Sequence, residues 1–415
     1  MIGSWIVRPQ KTQQKVICAI EVNNFQKYLV MQNNLFIFAN IMKHTFLSIV
    51  FFCKIFFLNA QVIQGTVYDS KTREALSGVV IFLDGTSIVT TSDNDGKFLL
   101  AVENIINANL VFSHLSYESL VIEKPFEDRR EAFFLKEKTN LLNAAVAVAE
   151  YDPLSRAEKM KVFKEFFLGE SVAAKSCIIR NEDDIMLRYD HPTDILYASV
   201  RNPLTIENQH LGYRITADIK YFQVKYTYTA VVSPNRNTVV PSNQFVATAS
   251  SFAYSITSFF EDQKPYDISL VSRRNQIYVR SRQYFWLSLV NNFALIKSGF
   301  KIYNKSKEVY AEDYFTVMDD PIQKAKVVLI TPGTNINRKH NEVSEESIYG
   351  VIGIRAQNKN DSEVIFLTNQ FSVDPYGNVA TSGLIYKGDM AHQRVGDMLP
   401  QNFIYTPSKV QQRRR

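Results

Sequence analysis

The chain has 415 residues, 46% of them hydrophobic, with 15 glycines and 13 prolines, which excludes a disordered or collagen-like polymer and leaves ample material for a buried core. Lysine and arginine outnumber aspartate and glutamate by 47 to 41, but residues 1–60 hold six of those bases and one acid, leaving 41 bases against 40 acids in residues 61–415. That balance removes the electrostatic support for a nucleic-acid partner, and the one basic run, Arg413-Arg414-Arg415, reads as a solvated tail over 407–415.

Residues 1–41 show no hydrophobic period and read as an extension upstream of a natural start at Met42. From Met42 to Ala60 a short basic start (Lys43, His44) precedes an apolar run from Phe46 to Leu58, the build of a secretory leader, with cleavage expected between Ala60 and Gln61. The run falls short of the ~20 apolar residues a spanning helix needs, and Lys54 interrupts it. The expectation is an exported protein, periplasmic, outer-membrane-associated or secreted, that is not integral to a membrane once the leader is gone. Cys53 lacks the small residues that precede a lipidated cysteine. With Cys18 and Cys53 in the leader region, Cys177 stands alone, so no internal disulfide is expected and a buried structural thiol is the reading.

From 61 to 136 the chain reads as seven short strands: 62–68, 79–83, 87–91, 97–102, 108–112, 119–123 and 131–135. They are spaced about ten residues apart by turn residues with no helical period between them, which predicts a small antiparallel β-sandwich. The sequence Asp93-Asn94-Asp95-Gly96 is a tight turn; it lacks the distant glutamate a calcium loop would need.

Several residues in this stretch form a pattern: Gly65, Val67 and Asp69; Ala75 to Ile81 including Gly78; Gly85-Thr86; and Thr91 to Phe98 including Asp93 and Gly96. The pattern resembles the carboxypeptidase-regulatory-like domain, a transthyretin-like sandwich common in exported proteins of Bacteroidetes. The resemblance implies that Gly65, Asp69, Gly78, Gly85, Asp93, Gly96 and Phe98 are structural. It also implies a non-catalytic domain, since the family's domain is an accessory to certain carboxypeptidases. Ser77 and Ser116-Tyr117 depart from the usual Pro and Gly-Tyr, in turns where they bear on local geometry.

Residues 137–169 read as a linking strand (140–150) and a helix opened by Asp152-Pro153 and closed by Gly169. Leu154, Ala157, Met160, Phe163 and Phe166-Phe167 give that helix one apolar stripe. Residues 170–406 are expected to form a larger β-rich domain with one internal helix, Ser281 to Ser298, and a long alternating strand at 221–229. Residues 233–250 and 332–346 read as polar loops, and the end as hairpins around a turn at 375–378. The fold class is therefore mainly β with a few helices. This second region, through Ile206-Glu207-Asn208, Leu211-Gly212-Tyr213, Val373-Asp374, Gly377-Asn378 and Arg394 to Pro400, resembles the C-terminal part of exported proteins that carry the same regulatory-like domain.

The search for chemistry returns little. His114, His191, His210, His340 and His392 have no glutamate three positions on, so a zinc-carboxypeptidase pattern is missing. There is no Gly-x-Ser-x-Gly and no phosphate-binding glycine loop, so neither a serine-hydrolase nucleophile nor a nucleotide cofactor is expected. The adjacent acids Asp183-Asp184 and Asp319-Asp320 read as surface charge. The resulting expectation is a non-catalytic cell-envelope binding or interaction module without cofactor or metal, with an envelope protein or glycan as partner. Two alternatives stand beside it. One is an exported hydrolase assembled from scattered groups such as His191, His210 and Asp218. The other is an accessory part of a TonB-dependent outer-membrane transport system; the chain is too short after residue 170 for such a receptor's own plug and barrel.

Overall fold

The computed structural model describes residues 61–138, 154–230, 245–291, 294–320, 324–340, 348–356, 360–379, 383–391 and 393–406. Residues 1–60, the linking strand at 140–150 and the basic tail at 407–415 lie outside the described residues; Gln61 opens the first strand.

Seven strands form the N-terminal sandwich. One sheet holds β1 (Gln61–Asp69), β4 (Lys97–Val102) and β7 (Ala132–Leu135) in the order β4-β1-β7. The other holds β2 (Val80–Leu83), β3 (Val89–Thr91), β5 (Leu110–His114) and β6 (Tyr117–Ile122) in the order β3-β2-β5-β6. Strict alternation in KFLLAV sends Phe98, Leu100 and Val102 inward, where Phe98 meets Phe112 edge-on at 5.5 Å and Phe133 stacks on Phe112 at 4.6 Å. The sequence predicts an antiparallel sandwich, but one pairing is parallel: β7 returns from the opposite sheet and runs parallel to β1, Thr66 opposite Ala132 through Asp69 opposite Leu135.

The turns follow from side-chain chemistry. Asp93 accepts the amides of Asp95 and Lys97, and Gly96 takes φ +74° where a Cβ would lie 2.6 Å from the Val67 carbonyl. Asp69 accepts the amides of Thr72 and Lys71 and the Tyr117 hydroxyl at 2.8 Å, which together hold its carboxyl below the usual range. The same bond raises the Tyr117 hydroxyl to about 12.

The second region opens with α1 (Arg156–Leu168) and the short α2 (Val172–Lys175). Gly169 closes α1 as the sequence suggests, but the N-terminus lies later than Asp152-Pro153. Ser155 is the cap, in a reciprocal box with Glu158 that satisfies two amides at once. Phe163 and Phe167 are fully buried and pack on Phe222 and Tyr254.

That packing surface is a six-stranded sheet of β8 (Cys177–Ile179), β9 (Ile185–Asp190), β10 (Ile195–Val200), β11 (Leu204–Asn208), β12 (Tyr213–Ala230) and β13 (Phe245–Asp262). β12 runs through its centre and pairs with β13 over their whole lengths, so the expected loop at 233–250 gives way to strand from Phe245. Polar Ser and Thr in that stretch sit on a strand held by backbone pairing rather than by an apolar pattern.

α3 (Ile268–Tyr278), capped by Asp267, was not expected from sequence. The helix expected at Ser281 to Ser298 is the shorter α4 (Arg282–Val290), capped by Ser281 and stopping at Asn291. Together with the short α2, the described residues 170–406 thus hold three α-helices, where one was expected. α4 buries Phe285, Trp286 and Leu289 against the last two sheets. One is β15 (Lys307–Val309), β14 (Phe300–Asn304), β18 (Gly350–Ala356), β19 (Asn360–Phe366) and β21 (Leu384–Gly388). The other is β16 (Phe315–Asp320), β17 (Ala325–Ile330) and β20 (Gln370–Val373). The terminal strands are not simple hairpins, because β19 pairs with β21 while β20 crosses to β17.

The sandwich is docked, not tethered. VVIFL is apolar on both faces because β2 is covered twice: Ile81 and Leu83 face the sandwich core, while Phe82 meets Phe259 of β13 at 4.9 Å. Burying such a ring contributes about 1.5–3 kcal/mol. Beside it the turn at 84–86 lies along β13, with Gly85 donating to the Ser258 carbonyl at 2.6 Å and Phe260 donating to Thr86 at 2.8 Å.

Asp84 accepts the Ser258 amide at 2.7 Å, and burial pushes its carboxyl up to about 6 despite the amides of Ser258 and Gly85 and the charge of Lys220. A raised carboxyl means the folded chain holds a proton that the unfolded chain has released between roughly pH 4 and pH 6, so this group adds stability as pH falls through that window. Asp84→Asn keeps the acceptor and removes the buried charge. It is expected to unfold in urea at higher denaturant than the parent at pH 7.5, by about 1–3 kcal/mol, with the difference gone near pH 4. A less stable variant at pH 7.5 would show that the ionic hydrogen bonds outweigh the burial.

Candidate functional site

A strap of irregular chain, residues 394–406, stitches the parts together. Gly396 packs so closely on α1 and α2 that a Cβ would lie 2.5 Å from the Ala174 Cα and 2.6 Å from the Leu168 carbonyl. Its own carbonyl accepts from Asn208 Nδ2 at 2.9 Å. Further on, Gln401 donates its amide to Gly85 at 2.8 Å, Asn402 Oδ1 accepts from Ser87, and Asn275 Nδ2 donates to Thr406. The motif Arg394 to Pro400, which has no chemistry of its own in sequence, is the fastening of the whole unit.

Where the strap passes between α1 and α3, an open cleft of about 920 Å³ remains. α3 contributes Arg273, Gln276 and Ile277, spaced at three and four residues, and Arg280 lies in the turn just past its end. The end of α1 contributes Glu165 and Phe166, and Glu170 follows it. Phe252 and Arg394 line it from β13 and the strap. A second hollow of about 350 Å³ adjoins it through Ile277, Gln393 and Asp397, and is lined by Arg282, Gln283 and Gln401 among others.

The electrostatics are mixed. Arg394 is 8% exposed; its guanidinium lies 4.0 Å over the Phe252 ring and donates to the Ala391 carbonyl. Burial and the neighbouring Arg282 disfavour its charge, while Tyr254 and Asp397 favour it. Asp397 is raised by burial, offset by the hydroxyl of Ser171 at 2.7 Å. His210 is lowered by burial and by Arg273, whose guanidinium donates to the His210 carbonyl.

Ser171, His210 and Asp397 therefore meet at one end of the cleft, a constellation that sequence spacing does not reveal. Their order is unlike a nucleophilic triad. Ser171 donates to the carboxylate rather than to an imidazole, and its oxygen accepts the Ala174 amide at 3.0 Å as the cap of α2. Of the expected trio His191, His210 and Asp218, only His210 lines the cleft. Asp218 accepts from Lys220 and Ser119 at the sandwich contact, and His191 lies beside Tyr189.

The remaining sequence candidates are accounted for structurally. Cys177 starts the edge strand β8, where burial pushes its thiol up to about 12, far from a reactive thiolate. Trp286 is buried and donates to the Tyr386 hydroxyl at 2.7 Å, so it offers no stacking face. Asp184 accepts from Asn181 and Asn202 in a short turn, and Asp319 pairs with Lys326. Gly78 takes φ +73° in open space, and Gly65 lies where a Cβ would be 2.7 Å from the Glu131 carbonyl. His340 pairs with Glu363 at 3.2 Å; His392 lies outside the described residues. Among the described residues no three His, Cys, Asp or Glu side chains are placed to hold a metal ion. No helix among them is long and apolar enough to cross a membrane.

The seven-stranded fold and its turn geometry agree with one comparison. Residues 63–147 match the CarboxypepD_reg-like domain family. The match covers the sandwich and reaches into the segment after β7, and the β-rich region lies beyond it. No curated protein matches the chain. The CarboxypepD_reg-like domain is thus one part of a larger unit whose cleft lies entirely in the second region, apart from the contribution of Asn107 to the adjoining hollow.

Proposed function

We propose that this chain is an exported, non-catalytic binding protein of the cell envelope, in which the CarboxypepD_reg-like domain is a fixed platform and the cleft beside the strap receives the ligand. The observation that carries this reading is the cleft itself: an open space of about 920 Å³ with a buried arginine in its lining. The leader-like segment at 42–60 supports export, with cleavage before Gln61. Two measurements test the reading together. Amino-terminal sequencing of the protein recovered from the envelope is expected to start at or near Gln61. The purified protein is expected to leave peptides, esters and glycosides intact.

One observation favours a second reading, an exported hydrolase: the meeting of Ser171, His210 and Asp397. Turnover of any of those substrates that disappears in Ser171→Ala and His210→Gln would establish it and remove the first.

A further inference from the structure

Four arginines line the two adjoining hollows: Arg273 on α3, Arg280 in the turn after it, Arg282 on α4 and Arg394 on the strap. Some exposed cations elsewhere are paired, as Lys164 with Glu182 and Arg355 with Asp361. None of these four has a carboxylate within 4.0 Å among the described residues. The contrast with their neighbour is direct. Arg274, equally buried, makes four hydrogen bonds, two of them to Asp262, whereas Arg394 makes one, to the Ala391 carbonyl. A guanidinium has five N–H groups in one plane, and burying it without an anion is costly. Arg394 lies 4.0 Å over the Phe252 ring and lines the cleft, and a planar guanidinium with free N–H groups is the partner that a carboxylate matches with two parallel bonds.

Carboxylates in the same lining limit the anion. Glu165, Glu170, Asp389 and Asp397 line the two hollows together with the four arginines, so four carboxylates share the lining with four guanidinia. A polyanion would be repelled from the α1 side; a ligand with a single anionic group at the strap would not. The rest of the surface sets the body of that ligand. Gln276 and Gln393 offer amides that both donate and accept. Gln401 Oε1, on the adjoining hollow, is buried without a hydrogen-bond partner. That chemistry suits hydroxyl groups better than an acyl chain.

Resting on the binding role above, we propose that the cleft takes a carboxylated saccharide, its carboxylate on Arg394 with Arg273 or Arg280 closing over it and its hydroxyls on the glutamine amides. The test is calorimetric titration of the purified protein with an aldobiouronic acid (one uronate linked to one neutral sugar), its neutral methyl ester, and a dipeptide with a single carboxylate, acetyl-Gly-Gly. The uronate disaccharide is expected to bind, and the ester at least about tenfold more weakly, the factor a charge-assisted bidentate contact commonly carries. Arg394→Gln should weaken the uronate disaccharide by a similar factor. Since that residue is also packed, the more exposed double substitution Arg273→Gln with Arg280→Gln is measured alongside, with an expected loss of about threefold or more and an unchanged melting temperature. Equal binding of the ester, full affinity in the double variant, preference for the dipeptide, or no saturation by the uronate disaccharide at about 10 mM would each overturn the assignment. A neutral ligand that binds the cleft would leave the binding role standing and remove only this one; turnover of the saccharide would remove both.

Discussion

Arg274→Ala is expected to cost about 3–5 kcal/mol of folding stability. Arg274 sits on the buried face of α3 at 3% exposure. Its guanidinium forms two parallel bonds to Asp262 at 2.6 and 2.8 Å, donates to the Leu211 carbonyl at 2.8 Å, and lies 4.0 Å over the Tyr213 ring. One residue thus joins α3, the end of β13 and the turn into β12. Removing it leaves Asp262 and a carbonyl short of partners, and the penalty comes from those orphans more than from the lost attraction. Arg274→Lys keeps the charge but not the planar fork, and falls between the parent and alanine. Urea unfolding followed by tryptophan fluorescence reads the effect through Trp286. A loss below about 1 kcal/mol would mean that water reaches Asp262 and replaces the arginine.

Asp374→Ala is expected to cost a comparable amount, about 3–5 kcal/mol, and to loosen the sandwich from the last sheets. Asp374 is 2% exposed in the turn after β20. It accepts the amides of Tyr376 and Asn378 through one oxygen, and the Asn378 side chain and the Asn107 amide through the other, at 2.8–3.0 Å. Asn107 belongs to the sandwich, so one carboxylate closes a turn and bridges two parts of the chain. Burial raises its carboxyl even so, with those donors opposing the rise. Beside it Gly377 takes φ +90° at a point where a Cβ would lie 2.2 Å from the Gln283 carbonyl, so Gly377→Ala should damage the same junction by strain. Hydrogen exchange distinguishes local from global effects. Faster exchange at the Asn107 amide with strand β4 still protected marks undocking, and uniform acceleration marks general unfolding.

The CarboxypepD_reg-like domain is nearly complete in the sequence because its information is local. Period-two alternation in KFLLAV, the Asp93–Gly96 turn and the apolar run VVIFL each act within a few residues, so the strands and turns can be read in order. The C-terminal end of α1 is equally local, since Gly169 needs only its own φ of +99°. α3 escapes that reading because Arg274 and Asn275 interrupt its apolar face; both are buried, with partners outside the helix, Asp262 12 positions away and Thr406 131 positions away. A polar residue in the middle of a stripe reads as exposure until its partner is known.

By itself the sequence determined the class of structure, the seven strands of the sandwich, the glycines of its turns and the residues able to carry charge. Only the tertiary structure decided which faces meet. The parallel return of β7, the second covering of Phe82 by Phe259 and the fastening by Arg394 to Thr406 all join residues scores to hundreds of positions apart. The cleft belongs to this second kind. Arg273 and Arg394 are 121 positions apart and meet at one cleft because backbone pairing and packing of the strap against α1 bring them there. Short-range periodicity records how each segment buries its own apolar face, whereas a site between segments depends on non-local contacts whose register no single segment encodes.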